Sequence, residues 1–238
     1  MRPVLPRPVC DCGMLCPHAG LDCGNGSMKV PDGGVRAEQG DLPADLATAS
    51  AKANRIAWDV ETTGLDWRQD RLATCQLFAE GVGVAVVKAA VSRPKRLVAQ
   101  MEDLAVEKVF HHVPFDLRFM VHRWDVRPGS IRCTKVASKI LAPDVPNEAH
   151  SLQHLASRHL GISLTKGPVR TSGWTATSLT EDQLTYAAGD VLHLLALHDV
   201  LLAELDRTNL RRLYDDCCAF LPARVSLELG GYPDVFAY

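Results

Sequence analysis

What the chain has little of narrows its class first. Aromatic residues make up only 6% of the 238 positions, and acids and bases nearly cancel to a net charge of −2. No global basic field advertises a nucleic-acid partner. That is weak evidence against one, because a carboxylate-rich metal site lowers net charge and local basic strips can still hold phosphates. No stretch approaches the roughly 18 consecutive apolar residues of a membrane span. The N-terminus lacks the charged and apolar regions of a secretory signal, so cytoplasm is expected and no membrane is implied. There is no internal repeat and no low-complexity tract. What remains is ordinary: 47% hydrophobic and 23% charged residues suit a soluble globular chain with one sizeable core.

Eight cysteines are present. Cys75, Cys133, Cys217 and Cys218 lie in apolar segments and read as small core residues. Cys10, Cys12, Cys16 and Cys23 crowd the start beside His18. Their spacing matches no common finger pattern and contains no CxxC pair. A poorly ordered Cys-, Gly- and Pro-rich extension over residues 1–38 is therefore expected, with zinc at these cysteines as the alternative. A single domain over 39–238 follows.

Within it, Arg55 to Val60 is a short apolar run ending on an acid, suited to a buried strand. Leu72 to Phe78 and Val82 to Val87 flank Glu80-Gly81 and predict a hairpin. Further strands are expected at Lys108 to His111 and Ile131 to Thr134. Helices are expected over 93–101, 115–124, 135–141, 151–160, 180–205 and 209–221, the fifth opening on a Thr180–Gln183 capping box. A hairpin followed by strand-helix alternation predicts an α/β chain with a mixed sheet and a helical C-terminal part.

Three segments carry chemistry. In Asp59-Val60-Glu61, residues two apart on a strand face the same side, so the two carboxylates project together. Paired carboxylates repel unless a cation joins them, and divalent cations take hard oxygen ligands. In His111-His112-Val113-Pro114-Phe115-Asp116, Pro114 fits the first turn of a helix and places Asp116 there, with Phe115 packing below. In Tyr186-Ala187-Ala188-Gly189-Asp190, the tyrosine and aspartate share a helix face. An aspartate in an apolar stripe is costly unless paired. Each segment alone also has a bland reading: a solvated strand end, an aspartate favoured by the helix dipole, a hydrogen-bonded Tyr–Asp pair.

Taken together and in this order, the three segments resemble the Exo I, Exo II and Exo III motifs of the DEDD exonuclease superfamily. Tyr186, four residues before Asp190, marks the tyrosine subclass; the histidine subclass would need a histidine where Thr185 stands. Gly40-Asp41-Leu42-Pro43, Cys133-Thr134-Lys135, Leu164 to Trp174 and the tail from Phe220 to Tyr238 are similar to short bacterial ribonuclease D-type proteins. His112 departs from the asparagine common at its position, and Ser172-Gly173-Trp174 from a usual Ser-Asp-Trp.

The resemblance implies an RNase H-like fold and two Mg²⁺ or Mn²⁺ ions. Asp59 would bridge both, Glu61 and Asp190 would complete one site, and Asp116 would support the other directly or through water. Tyr186 would position the attacking water rather than deprotonate it, and 5′-mononucleotides would leave from a 3′ end. For substrate grip, Lys166 and Arg170 are candidate phosphate contacts in a segment without acids. Thr62, Leu65, Phe115 and Trp174 are candidates to wedge or stack terminal bases, Trp174 equally suiting the core, and His112 is a candidate donor. RNA is the expected polymer. A DNA-directed exonuclease and a silent nucleic-acid-binding module are the alternatives, the last disfavoured because the four acids and the tyrosine are intact.

Overall fold

The computed structural model describes residues 34–164, 169 and 173–237. A six-stranded mixed sheet forms its centre: β1 (Val35–Gln39), β2 (Arg55–Thr62), β3 (Leu72–Ala79), β4 (Gly83–Lys88), β5 (Glu107–Phe110) and β6 (Ile131–Cys133). The order across the sheet is β1-β4-β3-β2-β5-β6. Strands β2, β3 and β4 run antiparallel, and β5 and β6 continue parallel from β2. This is the mixed α/β sheet with a hairpin and parallel strands that the residue pattern predicts. The hairpin turns on Gly81 and Gly83, both at positive φ.

Regular structure begins before the expected boundary at residue 39. Strand β1 pairs in parallel with β4, from Val35↔Val84 to Gln39↔Lys88. Its sequence, VRAEQ, has no fully buried position, so backbone hydrogen bonds to β4 place it more than any apolar pattern. The N-terminal cysteines, with their expected disorder or zinc, lie outside the described residues, as do Lys166 and Arg170.

Eight α-helices are described: α1 (Ala44–Ala53), α2 (Lys95–Glu102), α3 (Pro114–Trp124), α4 (Thr134–Leu141), α5 (Leu152–Leu160), α6 (Glu181–Leu192), α7 (Leu194–Arg207) and α8 (Arg211–Leu229). Alternation in β2 divides the core. Ile56, Trp58 and Val60 point into the larger cluster, with residues of α1, α2, α3, α4 and α8. Ala57 points the opposite way, into a cluster with Ala187, Ala188 and Val191 of α6. Asp59 and Glu61 continue the Ala57 row and so face α6.

Helix α1 is not among the expected helices, and two others differ from expectation. The long helix expected over 180–205 breaks at His193 (φ −105°). Before the break α6 packs on the sheet; after it Leu197, Leu201 and Leu205 join the larger core, where α7 meets α4 and α5. Both halves are apolar, so the stripe alone does not reveal the change of partner. The closing helix runs on past Pro222 because Tyr214, Cys218, Leu221 and Val225 form one continuous buried stripe. The α6–α7 segment has the length and hydropathy of a spanning helix, yet half of that window is buried inside the protein.

Candidate active site

The end of β2 supplies the first two acids. Asp59 lies opposite Gln76 of β3 and Glu61 opposite Thr74, and the register shifts between Glu61 and Thr62. The chain then turns sharply. The Thr62 hydroxyl donates to the Gly64 carbonyl at 2.6 Å. A Cβ on Gly64 would lie 2.4 Å from the Asp70 carboxylate. That carboxylate accepts hydrogen bonds from the Asp66 amide (2.9 Å) and the Thr63 hydroxyl (3.2 Å). A side chain at position 64 would force the Asp70 carboxylate to move, and the 63–71 loop is folded on that carboxylate.

The third acid comes from α3. Pro114 occupies the first turn as predicted, and Asp116 follows it, 2% exposed. Phe115 packs against the larger core. It is half-buried, lines the cleft and leans on Phe119 with ring centres 5.2 Å apart. Just before α3, His112 takes the left-handed backbone region (φ 63°). Asparagine and histidine tolerate that region better than most residues, which accounts physically for histidine where asparagine is common. The neighbouring His111 hydrogen-bonds the Thr134 hydroxyl at 2.9 Å.

The fourth acid and the tyrosine come from α6. The capping box forms: the Thr180 hydroxyl accepts from the Gln183 amide, and the Gln183 side chain accepts from the Thr180 amide. Ala187, Ala188 and Gly189 are buried against the sheet, which lets α6 sit low enough for Tyr186 and Asp190 to reach the cleft. Trp174 is 2% exposed and packs against Tyr186 at 6.0 Å. It backs the tyrosine and lines the cleft from within the core.

Carboxylate oxygens of Asp59, Glu61 and Asp190 lie within 4.8 Å of one another. Among the described residues this is the one such cluster of potential metal ligands, and its ligands are all carboxylates. Burial holds the Asp59 carboxyl well above the usual carboxylate range, and repulsion from Asp116, Asp190 and Glu61 adds to it. Burial also raises Asp116, opposed by backbone hydrogen bonds at Asp116 and Val60 and by the Arg118 charge. A cluster of anions raised in this way is what a divalent cation with hard oxygen ligands relieves. The donor set fits such an ion.

These residues floor an open cleft of about 750 Å³ that also takes in Thr62, Thr63, Gly64, Leu65, His111, His112, Phe115 and Thr175. Leu65 stands 80% exposed at its rim. Burial lowers the His112 pKa, and Lys135, Arg118, Lys139 and Arg224 add to the effect. The acidic floor therefore has a cationic flank.

A family model described as 3′-5′ exonuclease matches residues 35–206, most of the chain. The chain belongs to the 3′-5′ exonuclease family. Ribonuclease D of Haemophilus influenzae is 26% identical over 181 residues, which cover 76% of this chain and 44% of that protein. The chain thus spans less than half the length of that curated relative. DNA polymerase I of Aquifex aeolicus is 33% identical over 143 residues, 52% of this chain and 24% of the polymerase. Among solved structures, NrnC of Brucella melitensis is 33% identical with a TM-score of 0.78, covering 85% of this chain and 98% of that one. The RNase H-like architecture is shared with these neighbours.

One cleft gathers Asp59, Glu61, Asp116, Tyr186 and Asp190, with Thr62, Leu65, His112, Phe115 and Trp174 around them. His111, Thr63 and Thr175 line the cleft as well, beyond the residues expected there. Thr63 and His111 adjoin the motifs and were legible by adjacency; Thr175 carried no local signal.

Proposed function

We propose that the chain removes 5′-mononucleotides from the 3′ end of RNA. The observation that carries this is the convergence of three carboxylates within 4.8 Å on the floor of an open cleft, beside Tyr186. Bound Mg²⁺ or Mn²⁺ supplies Lewis-acid stabilisation of the attacking and leaving oxygens of an in-line displacement. Asp59, Glu61 and Asp190 would hold the ions, with Asp116 supporting them directly or through water. Tyr186 orients the attacking water through its hydroxyl; with a reference pKa near ~10 it is a poor base. Leu65 and Phe115 present apolar surface to the terminal bases, Thr62 and His112 present polar groups, and Lys166 and Arg170 extend the grip on phosphates.

RNA is favoured because the curated relatives include ribonuclease D proteins; NrnC, which has been solved bound to pGG and separately with bound Mg²⁺, supports an oligonucleotide substrate and a divalent metal. The polymerase relative supports a second reading, a DNA 3′ end in the same cleft. A soluble enzyme of the cytoplasm fits either substrate. Zinc at the N-terminal cysteines is a separate matter; metal analysis of the purified chain giving well below one equivalent ends it.

The decisive assay incubates end-labelled single-stranded RNA and DNA with each metal, beside Asp59→Ala. Stepwise shortening of RNA by the wild type and none by the variant is expected. Equal nuclease activity in both sinks the reading, and faster loss of DNA than RNA transfers it to the second polymer.

A further inference from the structure

The 63–71 loop has two lined sides. Thr63, Gly64 and Leu65 border the cleft, whereas Trp67, Arg68, Asp70 and Arg71 border a second depression of about 520 Å³. The opposite wall of that depression is α3, through Phe119, His122 and Arg123, and Lys88 of β4 lies in it as well. Thr175 lines both depressions, so they share a border.

The charge of this groove is one-sided. Arg68, Arg71, Lys88 and Arg123 face a single carboxylate, Asp70, in a chain whose net charge is −2. Asp70 is turned into its own loop, engaged by the Asp66 amide and the Thr63 hydroxyl. Among the described residues, Arg68, Arg71 and Arg123 enter no ion pair. A merely solubilising face intersperses charges of both signs. Here cations of one sign converge on a concavity that adjoins an anion-processing site.

We infer that this groove is a track for the phosphate backbone of the RNA strand several nucleotides 5′ of the bond being cut. The inference rests on the exonuclease reading for which strand is bound. The groove reads backbone rather than bases. Trp67, its large aromatic, is 8% exposed, with the Arg68 guanidinium 4.2 Å over its ring and the His122 ring against it at 4.9 Å. No aromatic face is left for stacking on that ring, so binding is sequence-independent. The same stacking holds the Arg68 charge in place. Lys88 donates to the carbonyls of Ala176 and Thr177 and so ties down the segment next to the shared border.

The test compares the wild type with Arg71→Gln/Arg123→Gln, two exposed positions outside the cleft. Fluorescence anisotropy reads binding of a labelled RNA of about ten nucleotides, within the usual span of a single-stranded site, and of a labelled dinucleotide, in chelator and over a range of salt. The wild type is expected to bind the longer RNA more tightly. The double variant should lose roughly five- to ten-fold of that affinity and flatten the log–log salt slope by about 1.4, two contacts at about 0.7 each, with no change for the dinucleotide. Unchanged affinity and slope for the long RNA, an equal loss for both lengths, or a wild type that does not distinguish them overturns the track. Cleavage of the dinucleotide with metal, measured in both proteins, reports separately on the exonuclease reading, since binding in chelator does not need it.

Discussion

Asp59→Asn should make the metal-free protein more stable while destroying the proposed activity. The reason is electrostatic. Asp59 shares a 4.8 Å cluster with Glu61 and Asp190, and two unit charges at that separation repel by about 3.5 kcal/mol at an effective dielectric constant of 20. All three residues have some solvent-exposed surface although the Asp59 carboxyl itself is desolvated, so screening is taken to reduce each pair to about 1 kcal/mol, a lower figure than full burial would give. Neutralising Asp59 removes these two pairs, about 2 kcal/mol, with the repulsion from Asp116 adding to it, which for a domain of this size raises Tm by at least roughly 4–8 °C.

The sign with pH follows from the direction of the Asp59 shift. Its folded pKa is raised by burial and by its anionic neighbours. The penalty for folding it ionised is therefore present above the folded pKa and fades as pH falls toward the ordinary value near ~3.9. The stability gap between variant and wild type should be widest at neutral pH and close on acidification. Metal works in the opposite sense: Mg²⁺ at about 100 times its Kd stabilises the wild type by about 2.7 kcal/mol, and the variant gains little. Differential scanning fluorimetry in chelator and in Mg²⁺ reads all of this. A variant Tm at or below wild type in chelator, or an equal gain from Mg²⁺ in both, refutes the electrostatic account of the site.

Three further outcomes can be checked. Tyr186→Phe should lower kcat by roughly ten- to a hundred-fold with KM and Tm nearly unchanged, because the ring still packs on Trp174 while the hydroxyl is gone; steady-state kinetics on a labelled oligonucleotide measures the split. At His112, held at φ 63°, asparagine should be tolerated and valine should cost about 1–2 kcal/mol in denaturant unfolding, since a β-branched residue resists the left-handed region. The Tyr214 hydroxyl accepts from the Cys133 amide at 3.1 Å and meets His198 Nε2 at 2.9 Å, all buried. Tyr214→Phe leaves both unsatisfied and should cost about 1–3 kcal/mol, seen as a lower Tm with unchanged activity per folded molecule.

The parts of the site legible in sequence are those where one periodicity sets direction. Asp59 and Glu61 follow from the two-residue repeat of a strand, and Tyr186 and Asp190 from the four-residue repeat of a helix. Pro114 fixes where α3 starts and hence where Asp116 stands. The hidden parts depend on partners distant in sequence. Strand β1 has no buried residue to announce it and exists through its pairing with β4. In α1 the fully buried residues are only Leu46 and Ser50, the latter held by a hydrogen bond to Gln100 fifty positions on. The break at His193 separates two apolar stripes that differ only in what they pack against. The left-handed backbone of His112 and the approach of Gly64 to Asp70 are set by loop closure, for which one sequence offers no signal.

The spacing of small residues in α6 is what brings Asp190 to Asp59 and Glu61 and so completes the three-carboxylate cluster. Ala187 and Ala188 are fully buried against the sheet, so the depth of α6 is set by side chains that themselves do no chemistry. Ala188→Leu inserts three carbons where nothing yields easily, and overpacking of this kind costs about 1–3 kcal/mol. Part of that cost is relieved if α6 lifts from the sheet, and any lift moves Asp190 away from Asp59 and Glu61. The variant should therefore stay folded, with a Tm lowered by roughly 2–12 °C, yet lose both the Mg²⁺-dependent gain in Tm and the nuclease activity although every acid is present. A folded Ala188→Leu protein with the full Mg²⁺ response would mean that the cluster is set by β2 and α3 alone, and that the small residues of α6 serve packing and nothing more.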